Sequence, residues 1–480
     1  MPMSRRTDRG SGVGAGRRVA VVGAGPAGFY TSAQLLDEGF QVDLIDLLPT
    51  PFGLVRSGVA PDHPKIKSVT RMYEKTARRD GFRFFGGLEL GRDIARADLR
   101  ERYHAVVYAV GSADDNRLGV PGEDRPGSYP ATTFVAWYNG HPHACNETFD
   151  LSAERAVVVG NGNVAIDVAR MLVLPPDELA VTDTADHAID AFNAAGVREV
   201  VLLGRRGPAQ AAFTNPELRE LGELTRADVI VDPADLELDE ESLQWLEAEG
   251  DPTAKRNVEL LREFSASEPK GLSHRVVLKF LRSPVEVLGE GDDGPVTGVR
   301  VVRNRIERAG DGRLRAVPTD EEEVIECGLV LRSIGYRGRP LDDVPFDERR
   351  GLIRNDSGRV CDDDGEPIPG EYCVGWIKRG PSGVIGTNKK DAADTVARIV
   401  EDAEAGRLPE RDAERSDPEA TAEWLRGAAE HVVEWDGWQA IDEHERGLGE
   451  PAGRPRVKLV RMAELVEASR AAAGVREAGR

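Results

Sequence analysis

Long apolar runs are missing from this chain of 480 residues. No stretch approaches the ~20 consecutive apolar residues that cross a bilayer, so no membrane span is expected. Cysteine is sparse. Only Cys145, Cys327, Cys361 and Cys373 occur, with no Cys-x-x-Cys. That spacing excludes a vicinal redox dithiol and offers no set of ligands for an iron–sulfur cluster or a structural zinc, so no metal site is expected. The thiols read as buried and reduced, which fits a cytoplasmic protein, and any iron-bearing electron carrier is expected to be a separate molecule. Positive charge is in deficit, with 63 Lys and Arg against 84 Asp and Glu and a net charge of −21. Such a balance argues against nucleic acid or an anionic membrane as the main partner. The first 16 residues are rich in Arg, Gly and Ser without an apolar centre, so they read as a disordered tail and not as a secretory signal.

What is present points to two or three domains of α/β type. Residues 18–22, 27–38 and 41–46 read as a β-α-β unit, followed by a Pro/Gly-rich loop over 48–56 and a helix over about 64–79. Short strands are expected near 82–85 and 88–90, and a buried parallel strand over 105–110. A second unit starts at Arg155, with a helix from Asn163 to about Leu172, a helical segment over 185–195 and a strand over 199–203. Asn215 before Pro216 reads as a helix cap with proline at the first helical position. Residues 232–268 are acidic and poorly patterned. Runs at 275–282, 297–303 and 324–331 suggest a small antiparallel meander. A strand over 372–376 precedes a helix expected to begin near Ser382-Gly383, and 401–480 reads as a charged helical tail.

Two glycine-rich turns carry the chemistry. Gly23-Ala24-Gly25-Pro26-Ala27-Gly28 follows the apolar run 18–22, and Gly160-Asn161-Gly162-Asn163-Val164-Ala165 follows 156–159. A strand, a tight glycine turn and a helix together present backbone N–H groups and a helix N-terminus to a pyrophosphate. Two such turns imply two dinucleotides, the arrangement needed to pass a hydride from a nicotinamide to a flavin. The acid that bonds a ribose should lie about 20 residues after the first turn, and Asp46 stands there. After the second turn the equivalent position holds Gly204-Arg205-Arg206-Gly207. Two guanidiniums there can clamp a ribose 2′-phosphate, whereas an acid would repel it. The blander readings are a structural glycine turn and a solvated Arg pair. Residues 376–388 are rich in glycine just before a helix, which would let backbone approach a flavin edge, although an ordinary helix start has the same look. His63 beside a proline turn and Glu217 in a first helical turn would, alone, be structural.

Together these motifs resemble the adrenodoxin-reductase-like branch of the NADPH–ferredoxin reductases. The resemblance rests on Pro51-Phe52-Gly53-Leu54-Val55-Arg56-Ser57-Gly58-Val59-Ala60-Pro61-Asp62-His63-Pro64-Lys65, on the second glycine turn, on Gly204-Arg205-Arg206-Gly207-Pro208 and on Val374-Gly375-Trp376-Ile377-Lys378-Arg379-Gly380-Pro381, and spans about 17–400. It implies two Rossmann-like dinucleotide-binding domains, with an NADP-binding domain (113–337) inserted into a split FAD-binding domain (17–112 and 338–480), plus a C-terminal helical extension from about 405 that compact relatives lack. It further implies that FAD contacts Gly23, Gly25, Pro26, Ala27, Gly28, Asp46, Gly53, Leu54, Leu90, Trp376, Gly383, Val384 and Ile385. NADP would contact Asn161, Gly162, Asn163, Val164, Arg205, Arg206, Glu217 and Gly383. His63 and Glu217 match the residues near flavin and nicotinamide that handle protons or position the ring. Asp46 departs from the Glu usual in relatives.

The function implied is FAD-dependent transfer of a hydride from NADPH and then of single electrons to a ferredoxin-type iron–sulfur protein (2Fe-2S, 3Fe-4S or 4Fe-4S), which in turn feeds a cytochrome P450 or a similar acceptor. The alternatives are a glutamate-synthase-like NADPH-oxidising subunit, whose clustered cysteines are absent here, and a non-catalytic flavin- or NADP-binding sensor. Three basic groups offer a face for an acidic partner: Lys65, Lys67 and Arg71; Arg275, Lys279 and Arg282; and Lys378 with Arg379. The blander reading of each group is a solvated face balanced by nearby acids.

Overall fold

A computed structural model describes residues 12–248 and 250–478. The tail expected over 1–16 lies mostly outside these. Its last residues, 12–16, form a turn held on the first helix, with the Gly14 N–H on the Glu38 carbonyl.

Two parallel sheets organise the chain. In the first, the strands Pro367–Cys373, Ala105–Tyr108, Arg18–Val22, Gln41–Asp46 and Phe82–Gly86 lie side by side in that order, all parallel. Short antiparallel strands flank them: Asn355–Asp356 and Arg359–Cys361 at one edge, Val433–Glu434 at the other. The central strand Arg18–Val22 is buried along its whole length, as a strand covered on both faces must be. The second sheet runs Ser128–Pro130, Leu329–Arg332, Arg155–Val159, Glu199–Leu203, His274–Lys279, Ala227–Val231, again all parallel. The first sheet thus takes strands from both ends of the chain and the second from its middle.

Several local expectations are corrected. The run 275–282 is not part of a meander, because His274–Lys279 pairs parallel inside the second sheet. The antiparallel meander is Arg282–Gly289, Val296–Arg308 and Leu314–Glu326. The helix expected over 64–79 is broken into Pro64–Lys67 and Thr70–Ala77. Near 88–90 only a single Leu90–Ile94 bridge forms. Thr214, not Asn215, occupies the cap position, while the Asn215 amide reaches the Thr253 carbonyl. The poorly patterned acidic stretch contains the helices Glu240–Ala248 and Pro252–Ala266. The C-terminal region is more than a charged tail: Val433, Trp438, Ile441 and Leu465 belong to the core of the first sheet.

Candidate functional site

Each glycine turn is built as its sequence requires. Gly23 has φ +111, and a Cβ there would lie 2.4 Å from the Ala109 carbonyl oxygen. A Cβ on Gly28 would lie 2.0 Å from the Gly23 carbonyl oxygen, so the helix Pro26–Asp37 can start this close to its strand only with glycine. Gly25 differs, since nothing lies within 4 Å of where its Cβ would be. The second turn repeats this, with Gly160 at φ +137 against Ser333 and Gly162 facing open space. Tight first glycines and open second ones are what a pyrophosphate needs to approach the backbone. The residues present therefore fit a dinucleotide in both places.

Around the first turn, the Asp46 carboxylate accepts the Ala24 N–H at 2.6 Å and the Leu48 N–H at 2.9 Å. Burial nevertheless pushes its pKa up to about 6. The loop after it is strained: Phe52 sits at φ 87 and Gly53 at φ 49. Phe52 is held there by Phe29, Tyr73 and Trp438, and its N–H donates to the Ala24 carbonyl. Gly53 thereby reaches Gly25, 2.9 Å from its would-be Cβ, and Leu54 is left exposed beside it. Gly375, at φ +79, packs on Ala27 and sets Trp376 against Tyr336. Leu90 is partly buried at the same sheet. The helix expected from Ser382 starts only at Thr387, because Gly383 adopts φ +80. Gly383 and Val384 are consequently exposed, with Ile385 partly buried.

Around the second turn, the Asn163 side chain accepts the Thr214 N–H at 2.8 Å, Val164 is partly buried, and the Asn161 amide nitrogen is buried with no hydrogen-bond partner among the described residues. Arg205 is exposed and Arg206 partly buried. Among the described residues neither guanidinium has a carboxylate within 4.0 Å. Burial and the neighbouring Arg205 both hold the Arg206 pKa below its ordinary value. Two such cations side by side offer the charge that an anion site requires. Arg206 also lines a cavity of about 480 Å³ with Gln210, Trp245, Asn257 and Arg313.

Between the sheets lies a buried polar cluster. His63, 8% exposed, meets Glu220 through Nε2 at 2.7 Å. The same Glu220 oxygen accepts from Arg170 at 2.8 Å, and Arg170 also bonds Asp62 at 3.0 Å and Asp167 at 3.1 Å. Glu217 is next to these groups, with a carboxylate oxygen within 4.8 Å of the His63 ring nitrogen and a Glu220 oxygen, but its Oε2 has no hydrogen-bond partner among the described residues. His63 and Glu217 thus come together as expected, yet the direct partner of His63 is Glu220, one helical turn on. Burial pushes Asp167 up to about 7 and raises Glu217. For His63 burial opposes the charge most, but the Glu220 bond together with the nearby Asp167 and Asp62 carboxylates outweighs it and the pKa rises.

A family model described as pyridine nucleotide-disulphide oxidoreductase matches residues 17–206. The chain is 48% identical over 464 residues to the NADPH-ferredoxin reductase FprA of Mycobacterium tuberculosis, covering 93% of this chain and 98% of that one. It is 41% identical to the mitochondrial NADPH:adrenodoxin oxidoreductase of Bos taurus, over 94% of this chain and 91% of that one. The solved structure of Mycobacterium tuberculosis FprA in complex with NADPH superposes with a TM-score of 0.88 at 47% identity, covering 94% and 99% of the two chains. The chain belongs to the NADPH–ferredoxin reductase family. As a member it is an oxidoreductase with two Rossmann-like units.

This coverage corrects one expectation. Less than a tenth of the chain is unmatched, whereas the segment beyond residue 405 is about a sixth of it, so these relatives do not lack the C-terminal extension. The residues that motif reading missed were partly legible. Asp167 and Arg170 are charges inside the apolar run Val164-Ala165-Ile166-Asp167-Val168-Ala169-Arg170-Met171, and Glu220 stands three residues after Glu217, on the same helical face. Nothing in the sequence pairs them with His63. The tightness of the first turn gives a direct test. Gly28→Ala should cost about 1–3 kcal/mol through overpacking, read as a lower thermal midpoint, while Gly25→Ala should leave that midpoint nearly unchanged and weaken flavin retention.

Proposed function

We propose that this reductase holds FAD at the first sheet and NADP(H) at the second, and passes electrons from NADPH to a ferredoxin-type iron–sulfur protein. When both are bound, the pair supplies hydride transfer from the nicotinamide to the flavin and single-electron transfer onward. The observation that carries the reading is the pair of glycine cradles on two adjoining sheets, one ending in Asp46 and the other in Arg205 and Arg206, which among the described residues have no carboxylate partner. In this reading Gly23, Gly25, Pro26, Ala27, Gly28 and Asp46 take the FAD pyrophosphate and ribose. Gly53, Leu54, Leu90, Trp376 and the 383–385 turn surround the rest of that cofactor. Asn161, Gly162, Asn163 and Val164 take the second pyrophosphate, and Arg205 and Arg206 take the 2′-phosphate. His63, hydrogen-bonded to Glu220, and Glu217 handle protons or position the nicotinamide where the two units meet. The split units correspond to 17–112 with 338–480, and to 113–337. We place the protein in the cytoplasm, in keeping with four unpaired cysteines; among the described residues no helix is long and apolar enough to cross a membrane.

The experiment is anaerobic mixing of the flavin-loaded protein with NADPH. Rapid bleaching of the flavin is expected, with much slower bleaching by NADH. Absence of bleaching would leave only a binding protein.

The partner is taken to carry a 2Fe-2S, 3Fe-4S or 4Fe-4S cluster and to serve a cytochrome P450 or similar acceptor. The basic face expected for it is largely neutralised. Lys67 pairs with Asp183, Arg275 with Glu199, Lys279 and Arg282 with Glu323, and Lys378 with Asp391. Lys65 and Arg71 remain exposed, beside the exposed Ile66 and Met72. Reversing both charges should lower ferredoxin-dependent cytochrome c reduction several-fold at low salt and have little effect at high salt, where charges are screened beyond about 8–10 Å. Direct ferricyanide reduction should not respond, and a salt-independent ferredoxin reaction would place docking elsewhere.

A further inference from the structure

The segment 454–459 returns from the C-terminal helices and lies against both units at once. Lys458 is its centre, with a side chain 1% exposed. Its Nζ donates to the Arg56 carbonyl at 3.0 Å and to the Asn139 carbonyl at 3.0 Å, and sits 3.3 Å from the Asp183 carboxylate. Arg56 belongs to the first unit, two residues after Leu54. Asn139 and Asp183 lie in the second. One buried ammonium is therefore shared between backbone of both units.

The surrounding contacts brace the same joint. The Arg56 guanidinium makes a two-pronged bond to the buried Glu445, at 2.9 and 2.5 Å. Glu445 also accepts the Leu459 N–H at 2.9 Å and faces Arg456 at 3.3 Å. Lys67, from the first unit, reaches Asp183 of the second at 2.6 Å. Arg454 grips the second unit through the Thr182 carbonyl at 3.0 Å, Asp186 at 2.6 Å and the Thr184 carbonyl. The cations around Lys458 are Lys67, Arg56 and Arg456, its own acid Asp183 is shared with Lys67, and Glu445 and Asp442 contact Arg456. Three acids thus serve four cations, and the contacts have direction, which fixes an angle.

We propose that Lys458 is a positioning residue for the hydride step. It pins the two units at one relative orientation, so that groups held separately on each sheet meet in register. The proposal rests on the function proposed above. Each glycine turn lies wholly within one unit, so holding the pyrophosphates does not need the joint. Hydride transfer does, because its atoms must approach within about 3–3.5 Å and a misplacement of about 1 Å can cost a hundredfold.

The test is Lys458→Met, which keeps the unbranched stem of the side chain and removes the terminal amino group. The flavin-loaded variant should retain FAD and bind NADP⁺ within about twofold of the parent. Anaerobic bleaching by NADPH should slow roughly tenfold or more. Hydrogen exchange should rise at 54–59 and 137–141, the segments Lys458 ties, and not in the strands 18–22 and 155–159. If that variant does not fold, Arg454→Met cuts only the grip on 182–186 and should slow bleaching about threefold with NADP⁺ affinity kept. An unchanged bleaching rate overturns the proposal, as does slowing that merely tracks lost FAD or lost NADP⁺ affinity. A parent protein that NADPH does not bleach overturns the proposed function itself, whereas parent and variant bleaching equally fast overturns the joint alone.

Discussion

Replacing Arg205 and Arg206 together by alanine should weaken NADP⁺ binding at least about a hundredfold and leave NAD⁺ binding nearly unchanged. The reason is that these guanidiniums have no carboxylate to release. Charge-assisted bonds to a phosphate are worth about 1.5–3 kcal/mol each, or roughly ten- to a hundredfold. In most surface arginines part of that is lost in breaking an existing ion pair. Here, among the described residues, neither side chain has one, and burial, with the neighbouring Arg205 adding to it, lowers the Arg206 pKa. A 2′-phosphate relieves the repulsion between the two. Arg206, the more buried of the two, is less screened by water and should account for the larger single-variant loss. The two losses should not add, because both groups face one anion. Titration with NADP⁺ and NAD⁺, followed by flavin or tryptophan fluorescence, checks this. Equal loss for both nucleotides would show that the pair supports the fold and does not read the phosphate.

Asp46→Ala should release FAD on dialysis, with affinity about ten- to a hundredfold weaker. The carboxylate holds the first turn together by accepting the Ala24 and Leu48 N–H groups. Its removal strands two donors, at about 1–3 kcal/mol each when buried, in addition to the lost ribose contact. The pH dependence separates the two effects. Folding raises the Asp46 pKa from 3.8 to about 6 through burial. A carboxyl that holds its proton more tightly in the folded state makes the flavin-free protein less stable as pH rises from about 3.8 through about 6. Ribose hydroxyls donating to the ionised carboxylate would pull the pKa back down, so FAD binding expels a proton and tightens across that same window. FAD affinity should therefore increase between pH 5 and 7 in the parent, and Asp46→Asn should flatten the profile. A parent profile already flat would mean that the ribose is held by another group.

Local chemistry was legible in the sequence to the extent that it depends on backbone space. Gly23, Gly28 and Gly160 stand where a Cβ would collide at 2.0–2.4 Å, and no other residue type allows that turn, so the motif and the geometry are one statement. The strands 18–22, 155–159 and 199–203 were equally readable, because a strand buried on both faces is an unbroken apolar run. The run 275–282 was misread for a matching reason: apolar alternation shows that a strand exists but not which neighbour it pairs with, and His274–Lys279 proved parallel. The start of the helix near 383 is not legible because glycine can be helical or left-handed there; in the fold Gly383 adopts φ +80 and the helix begins at Thr387.

By itself, then, the sequence determined that two dinucleotide cradles exist and that one ends in an acid and the other in two arginines, since spacing along one β-α-β unit decides both. Only the tertiary structure decided what lies between them. His63 and Glu220 are 157 residues apart, and Lys458 and Arg56 are 402 apart. A contact of that separation leaves no periodic trace in the chain; it forms because the strands before residue 110 and after 354 close into one sheet, carrying distant charges into a shared, buried joint where each needs the other as a partner.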